Sequence, residues 1–183
     1  SYKTVMIWDV ASRKKIHEIN LNISLTSSET STLAITDQLD KVVVSANSGL
    51  FCYNIQTGKE IFTNGTATSG ATFSKDGSKV YAVNYGTVYI FDAASGKEIK
   101  YITGVVDNTS SDCKFYEPGD NRLLILHHYG WSIVNLVTNE IIFKKTFNDI
   151  YSEQLKGYDY SKKDNIIFGF RDEYMISFNS LTG

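Results

Sequence analysis

Short apolar runs bounded by turn residues follow one another along the whole chain. Between residues 70 and 103 the runs are ATFS, KVYAV, TVYIFD and KEIKYI, and the sequences KDGS, NYG and AASG separate them. Runs of this length between turn signals predict β-strands. Four consecutive strands joined by tight turns form one antiparallel sheet. We therefore predict that the chain is built from small four-stranded sheets rather than from helices.

The stretch FDAASGKEI at residues 91–99 has close relatives elsewhere in the chain. WDVASRKKI, YNIQTGKEI, VNLVTNEII and FNSLTG repeat its pattern, and the Asp or Asn residues of the five copies are 45, 38, 43 and 44 residues apart. A period of about 40 residues with several short strands per unit is typical of a β-propeller. We predict an all-β fold, a β-propeller of four-stranded antiparallel blades, with about four blades in this chain. Within one domain of residues 1–183, the predicted repeat units are roughly 1–20, 32–63, 70–103, 112–146 and 156–183.

The repeated motif is predicted to form the turn between the third and fourth strands of each blade. Its Asp or Asn side chain can accept hydrogen bonds from backbone N–H groups one or two residues on. The Gly four positions later suits a left-handed backbone conformation, and Arg13 and Asn139 replace it in two copies. The residue before the Asp or Asn and the Ile seven positions after it are expected to supply apolar packing. The recurrence therefore marks a fold and not five active sites.

The segments whose length varies between repeats indicate where function can differ. These are the connections from a fourth strand to the next first strand, residues 20–32, 63–69, 103–112 and 146–155, and they contain no Lys or Arg. In a propeller they share one face with the short turns between second and third strands. We predict that this acidic face binds a partner with basic or amide groups, the alternative being that its polar residues only keep the surface soluble. The candidate partner-binding residues are Asp107, Asp149 and Glu153 from the connections and Asn84, Tyr85, His128, Tyr129 and Arg171 from the short turns.

Two stretches resemble known propeller repeats. FSKDGSKVYAV followed by VYIFDAASGKEI resembles the YVTN-type repeat, and VMIWDVASRKKIHEI is similar to the end of a WD-repeat. Trp8 and Asp9 form the one Trp-Asp pair and no Gly-His pair precedes a first strand, so the hydrogen-bond network typical of WD-repeats is not expected.

The resemblance implies a non-catalytic scaffold that presents its loops to a protein or peptide partner. It also implies a ring with more than four blades. We therefore expect either a segment truncated from a longer propeller or a homodimer in which two chains complete one ring. WD-type repeats imply an intracellular location and YVTN-type repeats an extracytoplasmic one, and both stay open.

Charge and composition disfavour several other functions. A net charge of −2 gives no long-range attraction for nucleic acid or for an acidic membrane surface. No stretch reaches the length of about 18–20 apolar residues that a membrane span requires. Cys52 and Cys113 are too few for a disulfide framework or a zinc site and are expected to be small buried residues.

The side chains that could carry chemistry do not form a recognisable site. His127 and His128 are neighbours on a predicted strand, so they point to opposite faces and cannot clamp one metal ion. Carboxylates recur in the turns between first and second strands, and because this repeats from blade to blade, they are expected to shape the turns. We predict no catalytic residue, no metal site and no cofactor. The recurring carboxylates are Asp40, Asp76, Asp120 and Asp164.

The alternative function is an enzyme or small-ligand sensor with a site on the propeller axis. Quinoprotein dehydrogenases share the Asp-x-x-[ST]-Gly turn, and resemblance to them would imply a closed ring with a ligand on its axis, a calcium site and often a vicinal Cys pair. No residues for these features can be named in this chain.

Overall fold

The computed structural model describes residues 4–21, 32–66, 68–106, 113–147, 156–171 and 174–180, and all regular secondary structure in these ranges is β. This confirms the predicted all-β class. The strands are β1 (Thr4–Asp9), β2 (Lys14–Asn20), β3 (Thr32–Ile35), β4 (Lys41–Ala46), β5 (Gly49–Asn54), β6 (Glu60–Asn64), β7 (Gly70–Phe73), β8 (Lys79–Asn84), β9 (Thr87–Asp92), β10 (Glu98–Ile102), β11 (Lys114–Gly119), β12 (Arg122–His127), β13 (Gly130–Asn135), β14 (Ile141–Thr146), β15 (Lys156–Ser161), β16 (Ile166–Arg171) and β17 (Tyr174–Asn179).

The strands assemble into sheets in chain order, as the turn pattern predicted. Three sheets have four strands each, formed by β3 to β6, β7 to β10 and β11 to β14. Within the described residues, β1 and β2 form a two-stranded sheet and β15 to β17 a three-stranded one. Neighbouring strands run antiparallel, for example β4 with β5 and β12 with β13. Each sheet is one blade.

The middle strands of the blades are buried on both faces. In β4 every residue after Lys41 is buried, and in β12 every residue after Arg122 is buried. These strands read as continuous apolar runs, VVV and LLIL, because each face of a blade packs against another layer. The sequence pattern thus fixes which strand lies in the middle of each blade.

The chain divides into two compact units. The first unit contains Ser1–Ala82 and Ile90–Ile99, and the second contains Val83–Tyr89 and Lys100–Gly183. In the first unit Val5 and Ile19 of the two-stranded sheet pack with Val44 and Tyr53 of the next blade.

The second unit has its own apolar core. Leu126, Trp131 and Ile133 of one blade pack with Tyr158 and Ile167 of the next. The core of each unit therefore forms where one blade faces another.

The repeated motif forms the predicted turn in every described copy, with one difference. The carboxylate or amide oxygen accepts from the backbone N–H three residues on in all four described copies. In two of these copies it also accepts from the N–H two residues on, as Asn135 does from Val137 at 2.8 Å, and in none from the N–H one residue on. In two copies the Ser or Thr hydroxyl of the motif donates to the same oxygen, Thr57 to Asn54 at 2.9 Å and Ser95 to Asp92 at 2.6 Å, whereas the Thr138 hydroxyl donates to Glu140. The bond to the Asp or Asn oxygen explains the hydroxyl residue in those two copies.

The position four residues after the Asp or Asn is left-handed in each described copy, as predicted. The φ angles are 57° at Arg13, 67° at Gly58, 68° at Gly96 and 64° at Asn139. At Gly96 a side chain would also collide with the ring of Phe62. Glycine is therefore required there by space as well as by backbone conformation.

The predicted packing role of the fourth-strand Ile is wrong for three of the four copies. Ile16, Ile99 and Ile142 are each about half exposed, with Ile99 at 51%. The fourth strand lies at the outer edge of its sheet, so this face is not covered. The residue before the Asp or Asn is buried at positions 53, 91 and 134, as expected, but Trp8 in the first copy is exposed, so the prediction is wrong there.

Among the described residues, no helix has the length and apolar character of a membrane span.

Candidate partner-binding surface

Four of the predicted binding residues lie in two short turns of the second unit. Asn84 ends β8 and Tyr85 begins the turn to β9, whereas His128 and Tyr129 form the turn from β12 to β13. Each turn is held by the segment that follows a fourth strand. The N–H of Val105 donates to the carbonyl of Gly86 at 2.9 Å, and the N–H of Phe147 donates to that of Tyr129 at 2.8 Å.

The segment at Val105 also connects one blade to the next. Its N–H binds the β8–β9 turn, and its carbonyl accepts a hydrogen bond from the hydroxyl of Ser132 on β13. In the first unit Thr68 donates its N–H to the carbonyl of Ala46 at 3.2 Å and accepts at its own carbonyl from the Ser45 hydroxyl at 3.0 Å, so both of these bonds go to β4 of the preceding blade. The base of a variable connection therefore lies beside a short turn, which is the arrangement predicted for this face.

Tyr85 is the most unusual residue of this surface. Its side chain is 77% exposed, and its backbone is left-handed, with φ 44°. Gly86 follows with φ 79°, so both turn positions have positive φ, as in a type I′ hairpin turn. Such turns favour Asn, Asp or Gly at the first position, and a bulky residue there costs about 1–3 kcal/mol. The fold tolerates Tyr85 in a conformation that Tyr disfavours.

Both histidines of the second turn have defined contacts. His127 is buried, and its Nδ1 accepts the N–H of Tyr129 at 3.3 Å. His128, in the turn after β12, is half-buried and lies edge-on to the Tyr158 ring, with 5.5 Å between ring centroids. The two rings contact different neighbours, and their pointing to opposite faces stays a prediction.

Of the other predicted binding residues, three lie outside the described residues and one is described only in its backbone. Asp107, Asp149 and Glu153 lie outside the described residues. Arg171 ends β16, where it pairs with Tyr174 of β17, and its side chain is not among those described. The acidic character of the face therefore stays a prediction from the sequence.

Sequence reasoning missed a polar cluster on the first strands of two consecutive blades. Lys114 of β11 donates from Nζ to the carbonyl of Tyr158 of β15 at 2.8 Å, and the same Nζ lies 5.6 Å from the centroid of that ring. Tyr116 donates its hydroxyl hydrogen bond to Asp159, whose other carboxylate oxygen is 4.0 Å from Lys114 Nζ. Four polar or aromatic side chains of the second unit thus contact one another across two blades.

The ionisation of this cluster is set by burial and hydrogen bonding. Burial raises the pKa of Tyr116, and its hydrogen bond to the Asp159 carboxylate raises it further. Burial alone would raise the pKa of Asp159, but the hydrogen bonds from Tyr116 and from the N–H of Tyr160, with Lys114 nearby, outweigh it and hold that pKa below its ordinary value. The cluster is a neutral phenol, a carboxylate and an ammonium group. The signal for it was available: the first strands of these blades read KFYEPG and KGYDYS, whereas TLAI and GATF are apolar.

The described residues contain no group of three or more His, Cys, Asp or Glu side chains that could hold a metal ion. Cys52 and Cys113 are buried thiols that form no disulfide with each other, as expected, and burial raises the pKa of the Cys52 thiol to about 12. Neither the calcium site nor the vicinal Cys pair of the quinoprotein alternative is found in the part of the chain that the structure describes.

Three solved structures that resemble the chain show its fold. A chain of hydrazine synthase from Kuenenia stuttgartiensis matches with a TM-score of 0.70 and 16% identity over 91% of this chain and 49% of its own. A chain of the mitotic checkpoint complex matches with a TM-score of 0.70 and 15% identity over 96% of this chain and 56% of its own. The β-propeller domain of Cps50 (Swd1) from Myceliophteria thermophila matches with a TM-score of 0.67 and 14% identity over 96% of this chain and 60% of its own.

These similarities establish a β-propeller fold, and the described blades amount to part of one. The chain spans about half to three fifths of the length of the structures it matches. They include both an enzyme and a protein complex, so likeness to them does not decide between the two kinds of function. No protein-family model matches the chain, and no curated protein matches it in sequence.

Proposed function

We propose that the chain is part of a non-catalytic propeller scaffold that binds a protein or peptide partner through the face carrying the β8–β9 and β12–β13 turns. The observation that carries this proposal is Tyr85, a bulky aromatic residue that is 77% exposed in a left-handed turn position. Local stability would favour Asn there. Leu39 is also exposed and left-handed, but Tyr85 gains less burial and lies on the face of the variable connections. Tyr85 is therefore expected to serve binding.

Tyr85 has the properties of an interface anchor. Tyrosine offers a large apolar ring, a polar tip and few rotatable bonds, and it is among the residues enriched at binding hot spots. The turn that presents it is fixed at its base by the Val105 to Gly86 hydrogen bond of 2.9 Å. A partner that covers the ring therefore meets a turn that is already ordered, which lowers the entropy cost of binding.

The partner's chemistry follows from the neighbouring connections. The segments 103–112 and 146–155 contain carboxylates and no Lys or Arg. A partner segment with Lys, Arg or amide side chains beside an apolar group complements both the carboxylates and the Tyr85 ring.

The proposal is tested by replacing Tyr85 with Asn, which removes the ring and suits the turn. Leu39→Asn is a matched control, because Leu39 is also exposed and left-handed, with φ 55°, but lies in a turn between a first and a second strand. A photoreactive phenylalanine derivative at position 85 should crosslink a protein from a cell extract, and the captured protein should then bind wild type and Leu39→Asn equally and Tyr85→Asn at least about tenfold more weakly. Equal binding of all three proteins would reject the proposal.

The cluster of Lys114, Tyr116 and Asp159 supports the second candidate, an enzyme or small-ligand sensor. It lies on first strands, which line the axis in a propeller, and it brings an ammonium group within 4.0 Å of a carboxylate. A quinoprotein should show cofactor absorbance after purification and a calcium-dependent rise in melting temperature. Either result would favour this candidate over a scaffold.

A further inference from the structure

A small cavity in the second unit contains a cation that has no hydrogen-bond or ion-pair partner among the described residues. It has a volume of about 280 Å³ and lies between the turns of two consecutive blades. Leu124 and Ile133 form its apolar side, and Asp120, Arg122, Asn165 and Ser180 form its polar side. Its volume is at the lower end of the range for small-ligand sites.

The cavity occurs where one blade departs from the repeat. In the other four-stranded blades a hydroxyl and a carboxylate close the turn between first and second strands: Thr36 donates to Asp40 at 2.5 Å, and Ser74 donates to Asp76 at 2.6 Å. In the blade of β11 to β14 the turn is instead the pair Asp120 and Asn121, both with positive φ, and Asp120 accepts no hydrogen bond from a described residue. The carboxylate of this turn is therefore not used to close it, contrary to the expectation for Asp120.

Arg122 occupies the first position of the second strand, where the other four-stranded blades have Lys41 and Lys79. Lys41 forms an ion pair with Asp40 at 2.9 Å, but Arg122 forms no hydrogen bond or ion pair with a described residue. Strand alternation places Arg122 on the same face as Leu124, which packs towards the next blade. A half-buried guanidinium without an acceptor is costly unless an anion or water supplies one.

The opposite wall of the cavity is a fixed polar surface. Ser180 is buried, its N–H donates to the carbonyl of Asn165 at 2.9 Å, and its own carbonyl accepts from Trp131 Nε1 at 3.2 Å. The Asn165 side-chain oxygen accepts from the Tyr160 hydroxyl at 2.9 Å. The Asn165 amide group is therefore oriented, and its NH₂ remains a second donor for a ligand.

We propose that this cavity binds a single carboxylate group, held by the Arg122 guanidinium and the Asn165 amide. The planar fork of arginine matches the two oxygens of a carboxylate. The exposed Asp120 at the same cavity repels a dianionic phosphate more strongly than a monoanionic carboxylate. The carboxylate belongs either to a small organic acid or to an acidic side chain of a peptide, because the cavity has room for a group of that size.

The indole N–H signal of Trp131 should report ligand binding in this cavity. Its indole N–H bonds to Ser180 at the cavity wall, and the only other tryptophan, Trp8, lies in the first unit. In a ¹H–¹⁵N spectrum, propionate should shift the Trp131 indole signal and leave that of Trp8 in place. Propionamide, which has the same shape without the charge, should have no effect, and inorganic phosphate should bind more weakly than propionate.

A comparison of two kinds of ligand distinguishes a peptide side chain from a free organic acid as the source of the carboxylate. A blocked tripeptide with a central glutamate is compared with its glutamine counterpart and with propionate. Tighter binding of the glutamate tripeptide than of propionate assigns the site to a peptide side chain, and the reverse assigns it to a free organic acid.

Three variants test the assigned residues. Arg122→Gln should weaken propionate binding at least about tenfold, and Asp120→Asn should strengthen it about two- to fivefold because a repelling charge is removed. Arg122→Lys keeps the charge and removes the fork, so it should fold as wild type and still bind more weakly. A Trp131 shift that propionamide reproduces, or propionate affinity that is unchanged in both Arg122 variants, would overturn the proposal.

Discussion

Two exposed side chains show how single residues depart from local backbone preference. Tyr85 and Leu39 both occupy the left-handed region, with φ 44° and 55°. L-amino acids other than Gly, Asn and Asp adopt this region at a cost, because the side chain approaches the following carbonyl. Leu39 lies in the turn between β3 and β4, whereas Tyr85 lies in a turn on the proposed binding face. The same backbone strain thus occurs in two turns, of which only the turn of Tyr85 has a proposed role.

Replacing either residue with Asn should stabilise the protein. We expect Tyr85→Asn and Leu39→Asn each to raise the free energy of unfolding by about 0.5–1 kcal/mol, because Asn tolerates positive φ. Urea unfolding followed by tryptophan fluorescence measures this. A loss of stability in Tyr85→Asn would mean that the ring makes contacts that its exposure does not show.

Asp76 gives a residue-scale prediction about pH. Hydrogen bonds from the Ser74 hydroxyl, the Ser78 N–H and the Ser78 hydroxyl lower the pKa of Asp76 from its ordinary value to about 2. Since the unfolded value is about 3.9, the carboxylate stabilises the fold above about pH 4, and this contribution is lost as the pH falls towards 2. Asp76→Asn should be less stable at neutral pH and should show a shallower loss between about pH 4 and 2.

Asp120→Asn is the control for that experiment, because Asp120 accepts no hydrogen bond from a described residue. It should keep the loss of stability between about pH 4 and 2 that Asp76→Asn is expected to lessen, when urea midpoints are compared at a series of pH values. If Asp76→Asn and Asp120→Asn gave the same profile, the hydrogen bonds at Asp76 would not be the source of the pH dependence.

At the scale of one turn and its neighbouring strand, two glycines separate backbone strain from packing. Gly58 and Gly96 hold the same motif position with φ 67° and 68°. A side chain at position 58 would meet nothing within 4 Å, whereas one at position 96 would collide with Phe62. The two sites thus share a conformation and differ in space.

We therefore expect Gly58→Ala to cost about 1 kcal/mol, which is the left-handed penalty alone. Gly96→Ala should cost about 1–3 kcal/mol more because the buried Phe62 ring must move. Thermal and urea unfolding of both variants measure the difference. Equal losses would show that the Phe62 ring can yield without cost.

At this scale the sequence predicted most of the structure. The runs KVYAV and TVYIFD became β8 and β9 with at most one residue of difference, because the turn residues on each side set the ends. The exposure of Ile16, Ile99 and Ile142 was not predicted. The repeated motif indicates the backbone conformation of the turn, but it does not indicate which strand of a sheet is covered. The cavity at Arg122 was also missed, since it depends on two turns brought together by packing between blades.

At the scale of the whole molecule, the acidic face formed by the variable connections is a prediction from the sequence. Reversing the charge at Asp107 and Asp149 to Lys should weaken capture of the partner and leave the melting temperature unchanged, because both residues lie in variable connections. Capture should also weaken as salt rises in wild type, and less so in the variant. Unchanged capture by the variant would remove the acidic-face hypothesis while leaving the Tyr85 proposal intact.

The fold could be predicted because five copies of one motif report the same turn, so errors at one copy are corrected by the others. The site could not be predicted to the same degree, because it consists of the positions where the copies differ. Tyr85, Arg122 and the Lys114 cluster each break a pattern that other blades keep. Such departures are informative only after the regular role of the position is known.

Three variable connections are held near a short turn by hydrogen bonds between main-chain atoms, as in the 2.9 Å contact between Val105 and Gly86. A main-chain tether does not depend on which side chains follow it. Foreign peptides of equal length could therefore be grafted in place of residues 107–112 while the main-chain bond before them is kept. Hypervariable loops on an antibody framework are exchanged in the same way. The same independence lets descendants of this chain acquire new ligands by substitution in the connections while their blades stay unchanged.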